Sequence, residues 1–348
     1  MASGAGGGPA RPLMVDVARR AGVSHQTVSR VLNDHPNVSP KTRADVMAAI
    51  RDLGYRRNAA ARTLVTGRTN TLGVISFDTT LYGPASMLYG IERAAHPGYS
   101  VAIASLPAFD RQTLLEAVDR FIDQAAEGII VIAPETSAVA ALGGIAHDIP
   151  VVAVGCGTGA PLPSVAIDNY RGAAQATRHL LDLGHSTVYH VAGPDSWLDA
   201  QQRVAGWRDT LRAAGAPEPR LLHGDWSARS GYEAGYELAG VADVTAVLCG
   251  NDPMALGLLR AFAERGRPVP GDVSVVGFDD VPEAAFFVPP LTTVRQDFGE
   301  LGRRALHLLI ERISGDYQFR PSLPITPDLV VRASTAPVPA SRRSAVVA

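Results

Sequence analysis

The chain has 348 residues with a formal net charge of −2, and 46% of them are hydrophobic. This length suits about two domains, and the composition excludes wholesale disorder. The sequence contains no run of 18 apolar residues that would predict a membrane span, and its first 20 residues lack the apolar segment of a signal peptide. Its two cysteines, Cys156 and Cys249, indicate neither a disulfide framework nor a zinc site, which favours a cytoplasmic location.

The charge is divided between two segments of opposite sign. Residues 1–70 contain 11 basic and 4 acidic side chains, whereas the remaining 278 residues contain 21 and 30. A basic head on an acidic body predicts that the head binds a polyanion and that the body does not. A solvated basic arm would give the same balance, so the pattern inside the head has to decide.

Residues 1–12 are rich in Gly, Ala and Pro and are predicted to be disordered, whereas residues 13–57 predict three short helices. Gly22 suits the turn between the first two helices, and Ser24 is placed to cap the second. Ser39 and Pro40 suit the start of the third. The apolar side chains expected inside are Val15, Ala18, Val23, Val28, Val31, Leu32, Val46, Ala49, Ile50 and Leu53.

The outer face of the second helix is predicted to bind DNA. Side chains at the start of such a helix reach base edges in the major groove, where Gln26 pairs with adenine and Arg30 with guanine. A plain three-helix bundle with a polar face is the alternative, and the basic charge of the head favours DNA binding. The complete expected set in the head is Ser24, His25, Gln26, Thr27, Ser29, Arg30, Asn33, Thr42 and Tyr55, with Thr27, Asn33 and Thr42 as phosphate contacts.

From Thr71 onward, short β-type runs alternate with helix-length amphipathic segments. Because the runs are apolar on both faces, they predict a covered parallel sheet of the doubly wound α/β type, divided into two subdomains. Ligands bind such sheets at the carboxyl ends of the strands. The predicted strands are 72–77, 100–105, 128–133, 150–154, 187–193, 245–250 and 272–278, and the predicted helices include 111–124, 170–183, 200–214 and 252–265.

Five segments carry a family resemblance over nearly the whole chain: VDVARRAGVSHQTVSRVLN, VAGPDSWLDAQQRVAGW, GDWSARSGY, NDPMALG and DVSVVGFDDVPEAAFFVPPLTTVRQDF. Together they resemble the lactose repressor family of bacterial transcription regulators. The resemblance implies a small all-α helix-turn-helix domain joined to an α/β body with two doubly wound parallel-sheet subdomains, similar to periplasmic sugar-binding proteins. It implies no enzymatic activity, no metal and no cofactor.

The resemblance also implies a domain organisation. The helix-turn-helix domain is expected at 13–57, a hinge helix and linker at 58–70, an effector-binding and dimerisation domain at 71–336, and a flexible tail at 337–348. Within the body, the N-subdomain is expected at about 71–167 and 298–325, and the C-subdomain at 168–297 and 326–336.

The hinge is expected to fold only on DNA, because so short a helix is marginal in water. Asn58 would cap it, Ala61 would allow a close approach, and Leu64 would wedge between base steps from the minor groove. A plain linker that ends at Gly67 is the alternative.

Sugar recognition needs planar polar groups and an aromatic face. The resemblance places Arg203, Asn251 and Asp279 as the polar groups and Trp226 as the platform. Each also has a structural explanation, since Asn251 suits a helix cap, Trp226 a core and Asp279 a turn. Further expected pocket positions are Leu81, Gly83, Pro84, Met87, Phe278, Gln296 and Phe298.

Three positions depart from the family pattern. Gly155 stands where the resemblance places an Asp that contacts the sugar, and Pro253 stands in place of a Gln. Asp199 replaces a Ser one helical turn before Arg203, where it is able to pair with the arginine. The pattern of hydroxyls that the pocket recognises is therefore expected to be its own.

The sequence thus predicts a homodimeric, cytoplasmic repressor that binds a near-palindromic double-stranded operator and is released by a sugar, with a disaccharide such as a β-galactoside preferred. The alternative regulator depends on a corepressor or activates transcription, and responds to a monosaccharide or nucleoside. A transport-associated sugar-binding protein and a sugar-metabolising enzyme are the rivals from other classes. The DNA-binding head opposes the first, and the lack of a Walker motif or metal-ligand cluster in the sequence opposes the second.

Overall fold

The structure, a computed structural model, describes residues 12–56, 67–96, 98–106, 110–143, 149–156, 161–318 and 323–338. The chain forms two compact units, Met1–Thr69 and Asn70–Ala348, which we call the head and the body. Within the described ranges, no helix is long and apolar enough to cross a membrane.

The described part of the head contains the three predicted helices: α1 (Met14–Ala21), α2 (His25–Leu32) and α3 (Pro40–Leu53). Gly22 ends α1 with a φ of +65°, a conformation that favours glycine. The expected caps are confirmed, since Ser24 Oγ accepts from the Thr27 N–H and Ser39 Oγ from the Thr42 N–H.

Seven buried side chains form the core of the described part of the head, among them Ala18 and Tyr55. Val17, Val28 and Val46 are fully buried, and Val31 and Ala49 nearly so. The expectation that Val15 faces inward is wrong, because it is 48% exposed and Val17, half a turn further on, takes the inner position.

The first sheet of the body is parallel, with strand order β2-β1-β3-β4-β5. Its strands are β1 (Thr71–Phe77), β2 (Ser100–Leu106), β3 (Gly128–Ile132), β4 (Val151–Val154) and β5 (Ser164–Val165). The helices of this subdomain are α4 (Tyr82–Ala95), α5 (Arg111–Asp123), α6 (Thr136–Leu142) and α11 (Phe298–Ser314).

The second sheet has the order β11-β10-β9-β8-β6-β7, in which only β11 runs antiparallel to its neighbour. Its strands are β6 (Tyr189–Ala192), β7 (Leu222–His223), β8 (Ala246–Cys249), β9 (Ser274–Asp279), β10 (Thr292–Arg295) and β11 (Asp328–Val330). The helices are α7 (Asn169–Asp182), α8 (Leu198–Ala213), α9 (Ala228–Ala239) and α10 (Asp252–Glu264).

The two sheets and the helical head confirm the predicted fold class. Among the described residues the chain passes between the sheets three times: after β5, between β10 and α11, and before β11. At the third passage Ile325 pairs with Ile167 of the first passage, which ties the two connections together.

One expectation about the strands is wrong. The run that forms β2 was expected to be covered on both faces, but β2 is the edge of its sheet and Ile103 is 52% exposed. A run of small and β-branched residues fits a half-covered edge strand as well as a central one, so the sequence pattern did not separate the two.

Candidate functional site

Helix α2 presents a polar face that is positioned by the core of the head. Val28 and Val31 anchor one side of the helix, while His25, Gln26 and Arg30 are exposed on the other and Ser29 is half-buried between them. These exposed groups stand at the beginning of the helix and one turn later, where a recognition helix contacts base edges.

The hydroxyls at the starts of α2 and α3 are organised alike. Ser24 Oγ lies 2.9 Å from Thr27 Oγ1, and Ser39 Oγ lies 2.8 Å from Thr42 Oγ1. Each hydroxyl has further hydrogen-bonding capacity, because it can donate once and accept twice. The pairs therefore hold the helix starts rigid and keep oxygen atoms at the surface.

Ion pairs neutralise part of the head's charge away from α2. Arg19 lies 3.3 Å from Asp16, and Arg20 lies 3.1 Å from Asp52. Arg43 pairs with Asp34 across the turn after α2. Within residues 12–56, no ion pair involves a side chain of α2, so the positive charge of Arg30 is not cancelled by a neighbouring carboxylate.

Two of the expected DNA contacts differ from the rest in their surroundings. Asn33 is exposed at the end of α2, whereas Tyr55 is only 9% exposed and belongs to the core of the head. Tyr55 therefore offers little surface to DNA, and its contact with DNA stays a prediction. The three hinge positions, Asn58, Ala61 and Leu64, lie outside the described residues.

The body contains a cavity of about 480 Å³ between its two subdomains. It lies where β1, β3, β8 and β9 end at their carboxyl edges, as expected for sheets of this type. The structure brings eleven of the thirteen expected pocket residues to its wall: Leu81, Gly83, Pro84, Met87, Asp199, Arg203, Trp226, Asn251, Asp279, Gln296 and Phe298.

Two expected residues are not in the wall, and both expectations are corrected. Phe278 is fully buried beneath the pocket, where its ring lies 3.8 Å from the guanidinium carbon of Arg203. Gly155 is close to the wall residue Met87, since a Cβ atom added at Gly155 would be 3.7 Å from the Met87 methyl group. Phe278 thus supports one wall residue, and Gly155 is a neighbour of another.

Arg203 is the centre of the polar end of the cavity. Its Nε donates to Asn169 Oδ1 at 2.8 Å, its Nη1 donates to the carbonyl of Gly250, and its Nη2 lies 3.7 Å from Asp279 Oδ1. Arg203 is only 4% exposed. With partners in three directions and Phe278 beneath it, the guanidinium is a fixed support.

Asp199 does not pair directly with Arg203, contrary to the sequence expectation. Instead Asn169 stands between them: its Nδ2 donates to Asp199 Oδ1 at 2.9 Å, and its Oδ1 accepts from Arg203. Asn169, which begins α7 directly after the first passage between the sheets, was not recognised in the sequence. Its carboxamide can serve both neighbours because it carries both a donor and an acceptor.

Burial changes the acidity of the two carboxyls in the wall. Desolvation raises the pKa of Asp279 to about 6, although Arg203 and the Gln296 amide favour the charged form. Burial likewise raises the pKa of Asp199 to about 6 against the attraction of Arg203. Both groups therefore titrate just below neutrality.

Strained backbone conformations mark the same wall. Trp226 has a φ of +72° and Asp279 a φ of +110°, in a region that non-glycine residues rarely adopt. Asp252 stabilises the turn after Asp279, since its carboxylate accepts from the Thr293 hydroxyl at 2.6 Å and from the Val281 N–H at 2.8 Å. Burial raises the pKa of Asp252 well above its usual range.

Asn251 and Trp226 combine the structural and the pocket interpretations. Asn251 caps α10, as its Oδ1 accepts from the Met254 N–H, and its Nδ2 donates to the Trp226 carbonyl. Trp226 is part of a core cluster and also forms cavity wall. Two buried atoms in this wall have no hydrogen-bond partner among the described residues: Trp226 Nε1, a donor, and Gln296 Oε1, an acceptor.

Sequence reasoning missed part of the wall. Several missed residues are direct neighbours of predicted ones, so the loop after β1 and the start of α9 could have been extended by one position each. Trp197 lies within the segment VAGPDSWLDAQQRVAGW but was not singled out there, and Pro134 comes from a loop that no motif marked. Pro253, one of the three departures from the family pattern, also lines the wall. The missed wall residues are Thr80, Tyr82, Ala85, Pro134, Trp197 and Ser227.

No metal centre is formed by the part of the chain that the structure describes, where no three His, Cys, Asp or Glu side chains are grouped to hold an ion. Cys156 and Cys249 are both buried. Burial raises the pKa of the Cys156 thiol to about 11, so it stays protonated at neutral pH.

Comparisons with known proteins agree with this architecture. Residues 13–58 match the bacterial regulatory proteins of the lacI family, and residues 177–335 match a periplasmic binding protein-like domain. The lactose operon repressor of Escherichia coli (strain K12) is 34% identical over 305 residues, which cover 87% of this chain and 85% of the relative.

Two solved structures span the same length. The lac repressor dimer bound to operator and the anti-inducer ONPF has a TM-score of 0.83 at 33% identity, covering 93% of this chain and 99% of that one. The transcriptional regulator CelR in complex with cellobiose has a TM-score of 0.69 at 32% identity, covering 93% and 100%. The chain belongs to the lacI family of bacterial regulatory proteins and is a DNA-binding transcription regulator, not an enzyme.

Proposed function

We propose that the protein is a homodimeric repressor that binds a near-palindromic operator and releases it when a sugar occupies the cavity of the body. The observation that carries this proposal is the joint wall of Arg203, Asn251, Asp279 and Trp226. It combines fixed planar polar groups with an aromatic face, which is the chemistry that sugar rings require.

The head supplies the DNA-binding part of the proposal. His25, Gln26, Ser29 and Arg30 are proposed to read bases, because they share the outer face of α2. Ser24, Thr27, Asn33 and Thr42 are proposed phosphate contacts that set the register without specifying sequence. Two heads on a dimer would read two half-sites, and the relative of TM-score 0.83 is a dimer on its operator.

A neutral sugar fits the polar end better than an anion does. Among the described residues that line the cavity, two are carboxylates and only Arg203 is basic. The guanidinium is already held by Asn169, Gly250 and Asp279. The carboxylates remain as acceptors for ligand hydroxyls, so sugar phosphates and sugar acids are disfavoured.

A disaccharide is the proposed size of ligand. A cavity of about 480 Å³ lies within the range of roughly 300–1,000 Å³ that drug-sized ligands occupy. Among the structural relatives, CelR was solved with the disaccharide cellobiose. The proposed domain organisation follows the expected boundaries, with the cavity between the two subdomains and the hinge at 58–70.

The test uses the full-length protein in two steps. Its operator is first selected from a random duplex library, and a near-palindrome is expected. Lactose, cellobiose, galactose, glucose and a nucleoside are then screened by thermal shift, since a ligand that binds the native state raises its stability. Hits are added to the operator complex at near-physiological salt, because protein–DNA affinity depends steeply on it.

We expect one disaccharide to stabilise the protein and to dissociate the operator complex. A sugar that strengthens operator binding would instead establish corepression and overturn the proposed induction. If random duplex bound as tightly as the selected sequence, the repressor assignment itself would be wrong.

A further inference from the structure

Two loops from different subdomains join along one side of the cavity. The loop after β3 meets the loop before α8: the Thr136 N–H donates to the Ser196 carbonyl at 3.0 Å, and the Leu198 N–H donates to the Pro134 carbonyl at 2.9 Å. Glu135 and Trp197 form the bridge between these bonds. The backbone of Trp197 is thereby held where the subdomains touch.

The Trp197 side chain turns this junction into a wall of the cavity. It is only 7% exposed and lines the cavity together with Pro134. Its ring meets the ring of Trp226 edge to face, with centroids 5.5 Å apart and an interplanar angle of 73°. The two indoles form an aromatic corner, defined here as Trp197 and Trp226.

The aromatic corner lies next to the polar end of the cavity. The guanidinium carbon of Arg203 is 5.5 Å from the centroid of Trp226, the same separation that Trp197 has. A sugar ring that bonds to Asp279 and Asn251 would therefore pack on Trp226, and a second ring linked to it would meet Trp197. Pro134, at the foot of Trp197, adds apolar surface.

We propose that Trp197 and Pro134 form a subsite for the second ring of a disaccharide, so that Trp197 sets the length of sugar that the protein recognises. This subsite rests on the proposed function, since it requires a sugar in the cavity. The C–H face of a pyranose loses water contact when it packs on an indole, which supplies affinity without hydrogen bonds. A monosaccharide held at the polar end gains none of this contact.

The experiment compares the affinities for one-ring and two-ring sugars when Trp197 is replaced. Calorimetric titrations of wild type, Trp197→Ala and Trp197→Phe use two pairs of probes: cellobiose with glucose, and lactose with galactose. Trp197→Phe keeps an aromatic face and therefore controls for the change of shape at the start of α8. The unfolding temperature of each variant without sugar shows whether the body remains folded.

For the disaccharide that binds wild type, we expect Trp197→Ala to lose about tenfold in affinity or more, and Trp197→Phe to retain most of it. The affinity for the matching monosaccharide should change less than about threefold, because only a ligand that contacts Trp197 loses affinity when Trp197 is replaced. Equal losses for both sugars, or no loss for the disaccharide, would overturn the subsite while leaving sugar binding in place. If wild type bound none of the four sugars, the proposed function would fall, and the subsite with it.

If Trp197→Ala does not fold, Trp197→Phe and Pro134→Ala decide the question with the same probes. The ratio of disaccharide to monosaccharide affinity should then fall in Pro134→Ala and hold in Trp197→Phe. An unchanged ratio in Pro134→Ala would refute the subsite as drawn.

Discussion

Replacing Arg203 by alanine tests the polar end of the cavity. The substitution removes the hydrogen bonds to Asn169 and Gly250 and the positive charge beside Asp279. It also uncovers the ring of Phe278, which the guanidinium covers at 3.8 Å. We expect the variant to bind its operator as wild type does and to be insensitive to the effector.

The magnitude follows from the charge of Asp279. An effector hydroxyl that bonds to Asp279 depends on the charged form of this carboxyl, which Arg203 favours, and losing a hydrogen bond to a charged group costs about 1.5–3 kcal/mol. A loss of about 2.8 kcal/mol corresponds to a loss of roughly 100-fold in effector affinity, at about 1.4 kcal/mol for each tenfold. Without the nearby cation, the pKa of Asp279 should rise above its present value of about 6, so a larger fraction of the carboxyl would be protonated at neutral pH.

The assay measures operator affinity by fluorescence anisotropy with and without the effector found by screening. Arg208→Ala is the matched control, because Arg208 lies on the same helix and its ion pair with Glu218 is on the partly exposed outer side. A pair so placed contributes at most about 1 kcal/mol. Normal release of the operator by effector in Arg203→Ala would refute the assignment of the pocket.

Three other predictions concern pH, base reading and packing. Because ligand hydroxyls donate to ionised carboxylates, effector affinity measured by calorimetry should fall from pH 7 to pH 5 by about tenfold for each carboxylate with a pKa of about 6, and thus by about 100-fold for Asp199 and Asp279 together. Exchanging His25 and Gln26 should change the operator recovered by selection, since both face outward at the start of α2. Gly257→Ala should lower the free energy of unfolding by about 1–3 kcal/mol in denaturant titrations, because its Cβ would lie 1.8 Å from the Ala228 carbonyl oxygen.

Each of these has a control and a contrary outcome. Asp199→Asn should weaken the pH dependence of effector affinity in part. An effector affinity that stays the same between pH 5 and pH 8 would exclude ionised carboxylates from ligand binding. If the exchanged residues selected the wild-type operator, base reading would lie elsewhere in the head. Gly143→Ala is the packing control, since its nearest contact would be an ordinary 3.5 Å, and equal destabilisation of both variants would contradict the steric reason.

The sequence predicted most of the fold because the strand runs are long and strongly apolar. All seven predicted strands are present, with the run at 272–278 observed as Ser274–Asp279. Four short strands of the described ranges, β5, β7, β10 and β11, are not among the predicted runs, because two to four residues carry no detectable period. Helices α4, α6, α9 and α11 were not among the helices named from the sequence. In α4 the sequence YGPASMLYGIERAA mixes glycine and proline into a partly buried helix, which weakens the helical pattern.

The site was predictable where a motif stood, and not where the fold brings distant loops together. Arg203 and Asp279 were found through the segments around them. Asn169 was not found, because a single Asn at the start of a helix indicates a helix cap. Only the fold places it between Asp199 and Arg203 of α8. Trp197 lies in the same segment as Arg203, but its role was not predicted, since it depends on the contact of its loop with Pro134.

The position of the cavity limits how an effector could act on DNA. A ligand shifts an equilibrium only by its difference in affinity between two states. Most polar contacts of the cavity, including Arg203, Asn251 and Asp279, belong to one subdomain and would be present whether or not the subdomains moved. The discriminating contacts must therefore come from residues contributed by the other side, such as Leu81 and Met87, or from the loop junction at Trp197. If the effector releases the operator as proposed, reciprocity requires operator DNA to weaken effector binding by the same factor. A variant that binds the sugar normally but loses this coupling would then be sought at the junction and not at the polar end.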